Sequence, residues 1–119
     1  MDINNRILIV DDIPLNRLLI RTFIEFFGYR NIDEASDGGE AIGMVERNEY
    51  FFIFMDIQMP VMNGIEATKH IRTIQLKTIP IVAITAYDDI EIEENGFNDL
   101  IRKPYSRDRI KTVLDRFVL

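Results

Sequence analysis

Residues 7–10 (Ile-Leu-Ile-Val) and 51–55 (Phe-Phe-Ile-Phe-Met) are unbroken apolar runs too short for helices. They read as strands buried on both faces, the kind found in parallel sheets. Residues 79–84 predict another, with Pro80 tolerable only at its start. Residues 31–36 are more polar and suit a sheet edge, and residues 99–102 form a short fifth strand closed by Lys103-Pro104. Between these runs the apolar period becomes helical. Behind Pro14, with Asp12 or Ile13 just before it, Leu15, Leu18, Leu19, Thr22, Phe23 and Phe26 recur at helical spacing until Gly28. A second line, Ile20, Ile24 and Phe27, lies beside the first, so this helix is either deeply covered or carries a docking face. Asp37-Gly38-Gly39 turns into a helix with Ala41, Ile42 and Val45 inward, and a third helix spans about 64–73. Residues 88–94 are short and strongly acidic for a fourth helix. The last helix starts near Ser106, a candidate N-cap, and runs through Ile110, Val113, Leu114 and Phe117. Strand and helix alternate five times without repeat or linker. The pattern predicts one doubly wound α/β domain over residues 1–119, a parallel sheet with helices on both faces.

The polar residues that interrupt this pattern gather where strands end. Asp11-Asp12 follows the first strand, Asp56 the third, Thr85 the fourth and Lys103 the fifth. The carboxyl ends of parallel strands share one edge, and ligands bind there in open α/β sheets. Beyond Asp56, Pro60 lacks an N–H and Gly64 tolerates positive φ, so the chain turns in a loop. Three carboxylates brought together either take up protons or hold a cation. Oxygen ligands without Cys or His favour Mg²⁺. With a hydroxyl and an ammonium opposite, the set suits phosphoryl transfer, and an Asp can itself be the nucleophile. The competing reading of Asp56 is an acid that merely caps the following turn.

Composition narrows the field. The 119 residues include no cysteine, which excludes disulfides and thiolate metal sites, and a net charge of −6 argues against a general nucleic-acid surface. No apolar run approaches the roughly 20 residues that span a bilayer, and the first residues lack a secretory pattern, so a cytoplasmic location without direct membrane contact is expected. The acidic run at 88–99 and the basic run at 102–116 read as solvated faces.

Ile-Val-Asp-Asp at 9–12, Met-Asp-Ile-Gln-Met-Pro-Val-Met-Asn-Gly at 55–64, Ile-Thr-Ala at 84–86 and Lys-Pro at 103–104 together resemble the receiver domain of response regulators and hybrid histidine kinases. The likeness covers the whole chain, and residues 55–72 look most like receivers attached to hybrid kinases. It implies a flavodoxin-like sheet of order 2-1-3-4-5 with five helices. It also implies that Asp56 is the phosphoacceptor and that Asp12, Asp56 and the Gln58 backbone carbonyl hold Mg²⁺. Asp11 would act on the metal through water, and Thr85 and Lys103 would hold the phosphoryl oxygens. Such a domain is a self-phosphorylating switch in two-component signalling rather than an enzyme with a separate substrate. Its partner would be a histidine kinase or histidine phosphotransfer domain whose helical bundle meets the first helix. Ile20, Ile24 and Phe27, with Ile13 and Leu15 near the active edge, are the expected docking surface, and a monomer is expected.

Two features depart from the family. Leu100 stands three residues before Lys103, where the family usually has an aromatic ring that moves on phosphorylation. The span from Thr85 to Lys103 is also shorter by about four residues, roughly one helical turn, so the fourth helix is expected to be stunted. Phosphorylation chemistry is therefore expected to survive while aromatic coupling is lost, with Tyr87 and Tyr105 as nearby rings. The alternative is a pseudo-receiver that docks a kinase without being phosphorylated. A dehalogenase-type phosphatase would need a second Asp where Gln58 stands. His70 reads as a surface residue, and Met55, Met59 and Met62 as packing.

Overall fold

A computed structural model of the chain describes residues 5–86 and 90–117. Strands β1 (Ile7–Val10), β2 (Ile32–Ala35), β3 (Phe52–Asp56), β4 (Ile81–Thr85) and β5 (Asp99–Arg102) form one parallel sheet in the order β2-β1-β3-β4-β5. Helices α1 (Pro14–Phe26) and α4 (Arg107–Phe117) cover one face, and α2 (Gly38–Arg47) and α3 (Gly64–Thr73) the other. This is the doubly wound, flavodoxin-like sheet order that was expected.

The apolar runs follow from that layering. In β1, Ile7 and Ile9 face α1 and α4, while Leu8 and Val10 face α2 and α3. In β3, Phe52 and Phe54 take the first side and Ile53 and Met55 the second. With helices on both faces, neither side of a central strand can be polar. Asp37 caps α2 by accepting from the Glu40 N–H at 2.8 Å, and Asn63 and Glu66 close a reciprocal capping box on α3. Ser106 Oγ accepts from the Arg109 N–H at the start of α4.

The expected fourth of five helices is absent among the described residues, which contain four. Asp88 and Asp89 lie outside them, and residues 92–96 form a turn. Gly96 at φ 91° ends that turn. Arg72 of α3 then fixes it, donating to the Gly96 carbonyl at 2.9 Å and to Asn98 Oδ1 at 2.8 Å. Phe97 is buried in the core on the α2/α3 side, with Ile90 and Ile92 packed against it.

Leu76, in the α3–β4 connection, has φ 57° and is 77% exposed. A left-handed conformation costs a residue with a Cβ roughly 1–2 kcal/mol, whereas Asn tolerates it. Leu76→Asn removes little packing, so it should raise unfolding free energy by about 0.5–1 kcal/mol in urea titrations.

Candidate functional site

β1 and β3 are neighbours at the centre of the sheet, with Val10 opposite Met55. The residues that follow, Asp11 and Asp56, therefore emerge side by side. The Asp11 N–H donates to the Ala35 carbonyl at 3.1 Å, and Asp11 Oδ1 accepts from the Ile13 N–H at 2.9 Å. Asp56 Oδ1 accepts from the Gln58 N–H at 3.1 Å. On the other flank the Lys103 N–H donates to the Thr85 carbonyl at 2.8 Å, continuing the β4–β5 ladder to the same edge. Lys103 Nζ lies 3.1 Å from Asp56 Oδ2 and 3.9 Å from Asp11 Oδ2, and the Lys103–Pro104 peptide bond is cis. One oxygen from each of Asp11, Asp12 and Asp56 falls within 4.8 Å of the others.

Asp11, Asp56 and Thr85 are buried, and Asp12 is half-buried. Burial pushes the Asp11 carboxyl up to about 6; the Ile13 N–H opposes this and the Asp56 charge adds to it. Burial, reinforced by Asp11 and Asp56, likewise pushes the Tyr105 hydroxyl up to about 12. The Lys103 ammonium faces two of the three carboxylates, Asp56 and Asp11. Asp11 Oδ2 is buried without a hydrogen-bond partner. An oxygen-only cluster with an unsatisfied, inward carboxylate oxygen fits a small hard divalent cation such as Mg²⁺.

The sequence-predicted Asp11, Asp12, Asp56, Thr85 and Lys103 thus share one edge, and Gln58 borders it through its N–H. One local expectation is corrected. Gly64 does not take positive φ; in this loop Val61 does, at 68°. Gly64 is required because a Cβ there would meet the Asp56 carbonyl oxygen at 2.1 Å. His70 is half-buried, partly at the surface as expected, with its Nδ1 inward and lacking a hydrogen-bond partner. Met55 and Met59 are buried and Met62 packs against them, as expected for packing. Leu100 is half-buried on the α2/α3 side, and Tyr87 lies outside the described residues. In the charged runs, Asp99 pairs with Arg109 and Arg116, tying β5 to α4.

The expected docking face is also corrected. Ile20 and Ile24 are fully buried against β1 and β3, and Phe27 is half-buried. The exposed line of α1 is Leu15, Leu18, Leu19 and Phe26, with Ile13 just ahead of it. Both lines are apolar and both recur at helical spacing, and the sheet takes the one that carries Ile20 and Ile24. Sequence reading also passed over Arg17. It donates to the Asp11 carbonyl at 2.6 Å and to Glu34 Oε1 at 2.9 Å. Its signal was a cation six residues past an Asp pair on the next helix.

The response regulator receiver domain model matches residues 7–115. The chain is 40% identical to the osmosensing histidine protein kinase SLN1 of Saccharomyces cerevisiae, over 94% of this chain and 10% of that protein. It is 36% identical to chemotaxis protein CheY-3 of Vibrio cholerae, over 95% of this chain and 91% of the relative. The chain therefore spans about a tenth of SLN1 but nearly the length of CheY-3. Among solved structures, the receiver domain of sensor histidine kinase PA1611 from Pseudomonas aeruginosa, which has a magnesium ion coordinated in its active site cleft, superposes with a TM-score of 0.84. That pair is 34% identical, with 96% of this chain and 97% of that chain covered. Among the described residues no helix is long and apolar enough to cross a membrane.

Proposed function

This chain belongs to the response regulator receiver domain family of two-component signalling, and we propose that it takes a phosphoryl group from a phosphohistidine partner onto Asp56. The observation that carries the reading is the meeting of Asp11, Asp12 and Asp56 oxygens within 4.8 Å, with Lys103 Nζ 3.1 Å from Asp56. A carboxylate oxygen of Asp56 attacks phosphorus, the P–N bond breaks, and its electron pair stays on the donor imidazole. Lys103 and the Thr85 hydroxyl hold the oxygens of the transferred group. Asp12, Asp56 and the Gln58 carbonyl would hold Mg²⁺ directly and Asp11 through water; bound there, the ion supplies positive charge for the phosphoryl oxygens. The domain then acts as a cytoplasmic, monomeric switch, with no direct nucleic-acid or membrane contact, and not as an enzyme on a separate substrate. The product is an acyl phosphate, so hydroxylamine should release the label, whereas a phosphoserine or phosphothreonine ester would keep it.

The partner is a histidine kinase or histidine phosphotransfer domain that docks beside α1 at Ile13, Leu15, Leu18 and Leu19, which are exposed and next to the acidic edge. Leu15→Asp should slow transfer from a protein donor by about tenfold or more and leave a small-molecule donor unaffected. Equal loss with both donors would contradict docking there. Leu100 has no ring to reorient, so output does not pass through an aromatic at that position. Leu100, and the lack of a helix between β4 and β5 among the described residues, favour a second reading, a docking module that is never phosphorylated, and the complete carboxylate, hydroxyl and ammonium set opposes it.

A further inference from the structure

Asp11 sits beside Asp56 in a buried, negatively charged edge, where like charges so close favour an outward shift of the Asp11–Asp12 loop. Asp11 is held at three points. Its N–H is fixed by the Ala35 carbonyl and its Oδ1 by the Ile13 N–H. Its carbonyl is held by Arg17 Nη1 at 2.6 Å, a charge-assisted bond from the α1 cation that reaches this loop. Arg17 is itself braced, because its Nε donates to Glu34 Oε1 at 2.9 Å. Glu34 Oε2 accepts from Arg21 Nε at 2.7 Å, and Arg21 Nη2 donates to the Ile32 carbonyl at 3.0 Å. Burial opposes ionisation of Glu34, but the hydrogen bonds from Arg21 and Arg17 hold its carboxyl below the ordinary value. The bracket thus stays charged. It joins α1, β2 and the loop after β1 through planar, two-point contacts that a lysine cannot copy.

We propose that Arg17 is a positioning residue for the cation site: it holds the Asp11–Asp12 loop in the geometry that binds Mg²⁺, acting through the Asp11 backbone and braced by Glu34. This rests on the reading of the acidic edge as a Mg²⁺ site. Positioning and charge make opposite predictions. Removing a positive charge near a cation site should tighten cation binding if only the field matters. Removing a positioning bond should weaken it, as loss of outer partners does at metal sites, by about 10-fold or more.

The test is MgCl₂ titration of the full chain, followed by amide chemical shifts, for the parent, Arg17→Met, Arg17→Lys and Arg21→Met. Arg21→Met removes the other arginine on Glu34 and leaves the bonds of Arg17 to Glu34 Oε1 and the Asp11 carbonyl in place, and so controls for lost stability. The expected result is Mg²⁺ affinity about 10-fold weaker in Arg17→Met, partly restored in Arg17→Lys, and unchanged or slightly tighter in Arg21→Met. Unchanged or tighter binding in Arg17→Met would overturn the proposal, as would equal weakening in Arg21→Met. If Arg17→Met does not fold, Arg17→Lys against Arg21→Met decides the same question. A parent that binds no Mg²⁺ would instead overturn the reading of the site itself.

Discussion

Gly64→Ala should cost about 2–4 kcal/mol of stability and slow phosphorylation of the surviving folded protein, the largest structural effect expected from adding a single methyl group. The new Cβ would stand 2.1 Å from the Asp56 carbonyl oxygen and 2.9 Å from the Asp56 carbonyl carbon and the Ile57 Cα. All three are backbone atoms, so no rotamer change relieves the clash. α3 and the end of β3 must separate, which also breaks the 2.9 Å bond from the Gly64 N–H to the Ile57 carbonyl. The segment that moves carries Asp56 and Gln58. Gly39→Ala is the control, since its Cβ would meet only Asp37 Oδ1, at 3.3 Å. Urea denaturation and phosphorylation by a small donor should show loss at 64 and little change at 39. Similar stabilities at both positions would contradict the close approach.

Lys103→Met should divide binding from chemistry. Lys103 Nζ bridges toward Asp56 Oδ2 and Asp11 Oδ2, neutralising part of the cluster before any cation arrives. Without it the edge is more negative, so Mg²⁺ should bind more tightly, by about 1 kcal/mol at a partly exposed site. Phosphorylation should nonetheless fall by about 100-fold or more, because a positioned donor to the transferring group is gone. Mg²⁺ titration and the rate of labelling by a small phosphodonor measure the two halves. Unchanged labelling would remove Lys103 from the proposed chemistry.

How legible each part was depends on whether one physical cause dominated. β1, β3 and β4 were plain because both their faces are covered, and nothing else in the chain writes four or more apolar residues in a row. The acidic edge was plain for a related reason: polar residues that end buried strands have nowhere else to be. α1 was misread because both of its apolar lines are long enough to be the buried one. Its phase is set by tertiary contacts, Ile20 and Ile24 on the sheet and Arg17 and Arg21 on Glu34, and these pair residues 10 or more positions apart. The helix expected between β4 and β5, absent among the described residues, was foreshadowed only as a short one. Its replacement depends on Arg72 reaching Gly96 and Asn98 from α3, which no local pattern announces. Gly64 was noticed for the wrong property, since contact with the Asp56 backbone appears only when β3 and α3 are folded together.

The most direct test of the central claim is the intact mass of the chain after incubation with Mg²⁺ and a small phosphodonor, with Asp56→Asn alongside. The account predicts one added phosphoryl group on the parent, none on Asp56→Asn, and none on either when a chelator replaces Mg²⁺. No mass gain on a parent that binds Mg²⁺, or an equal gain on Asp56→Asn, would contradict it.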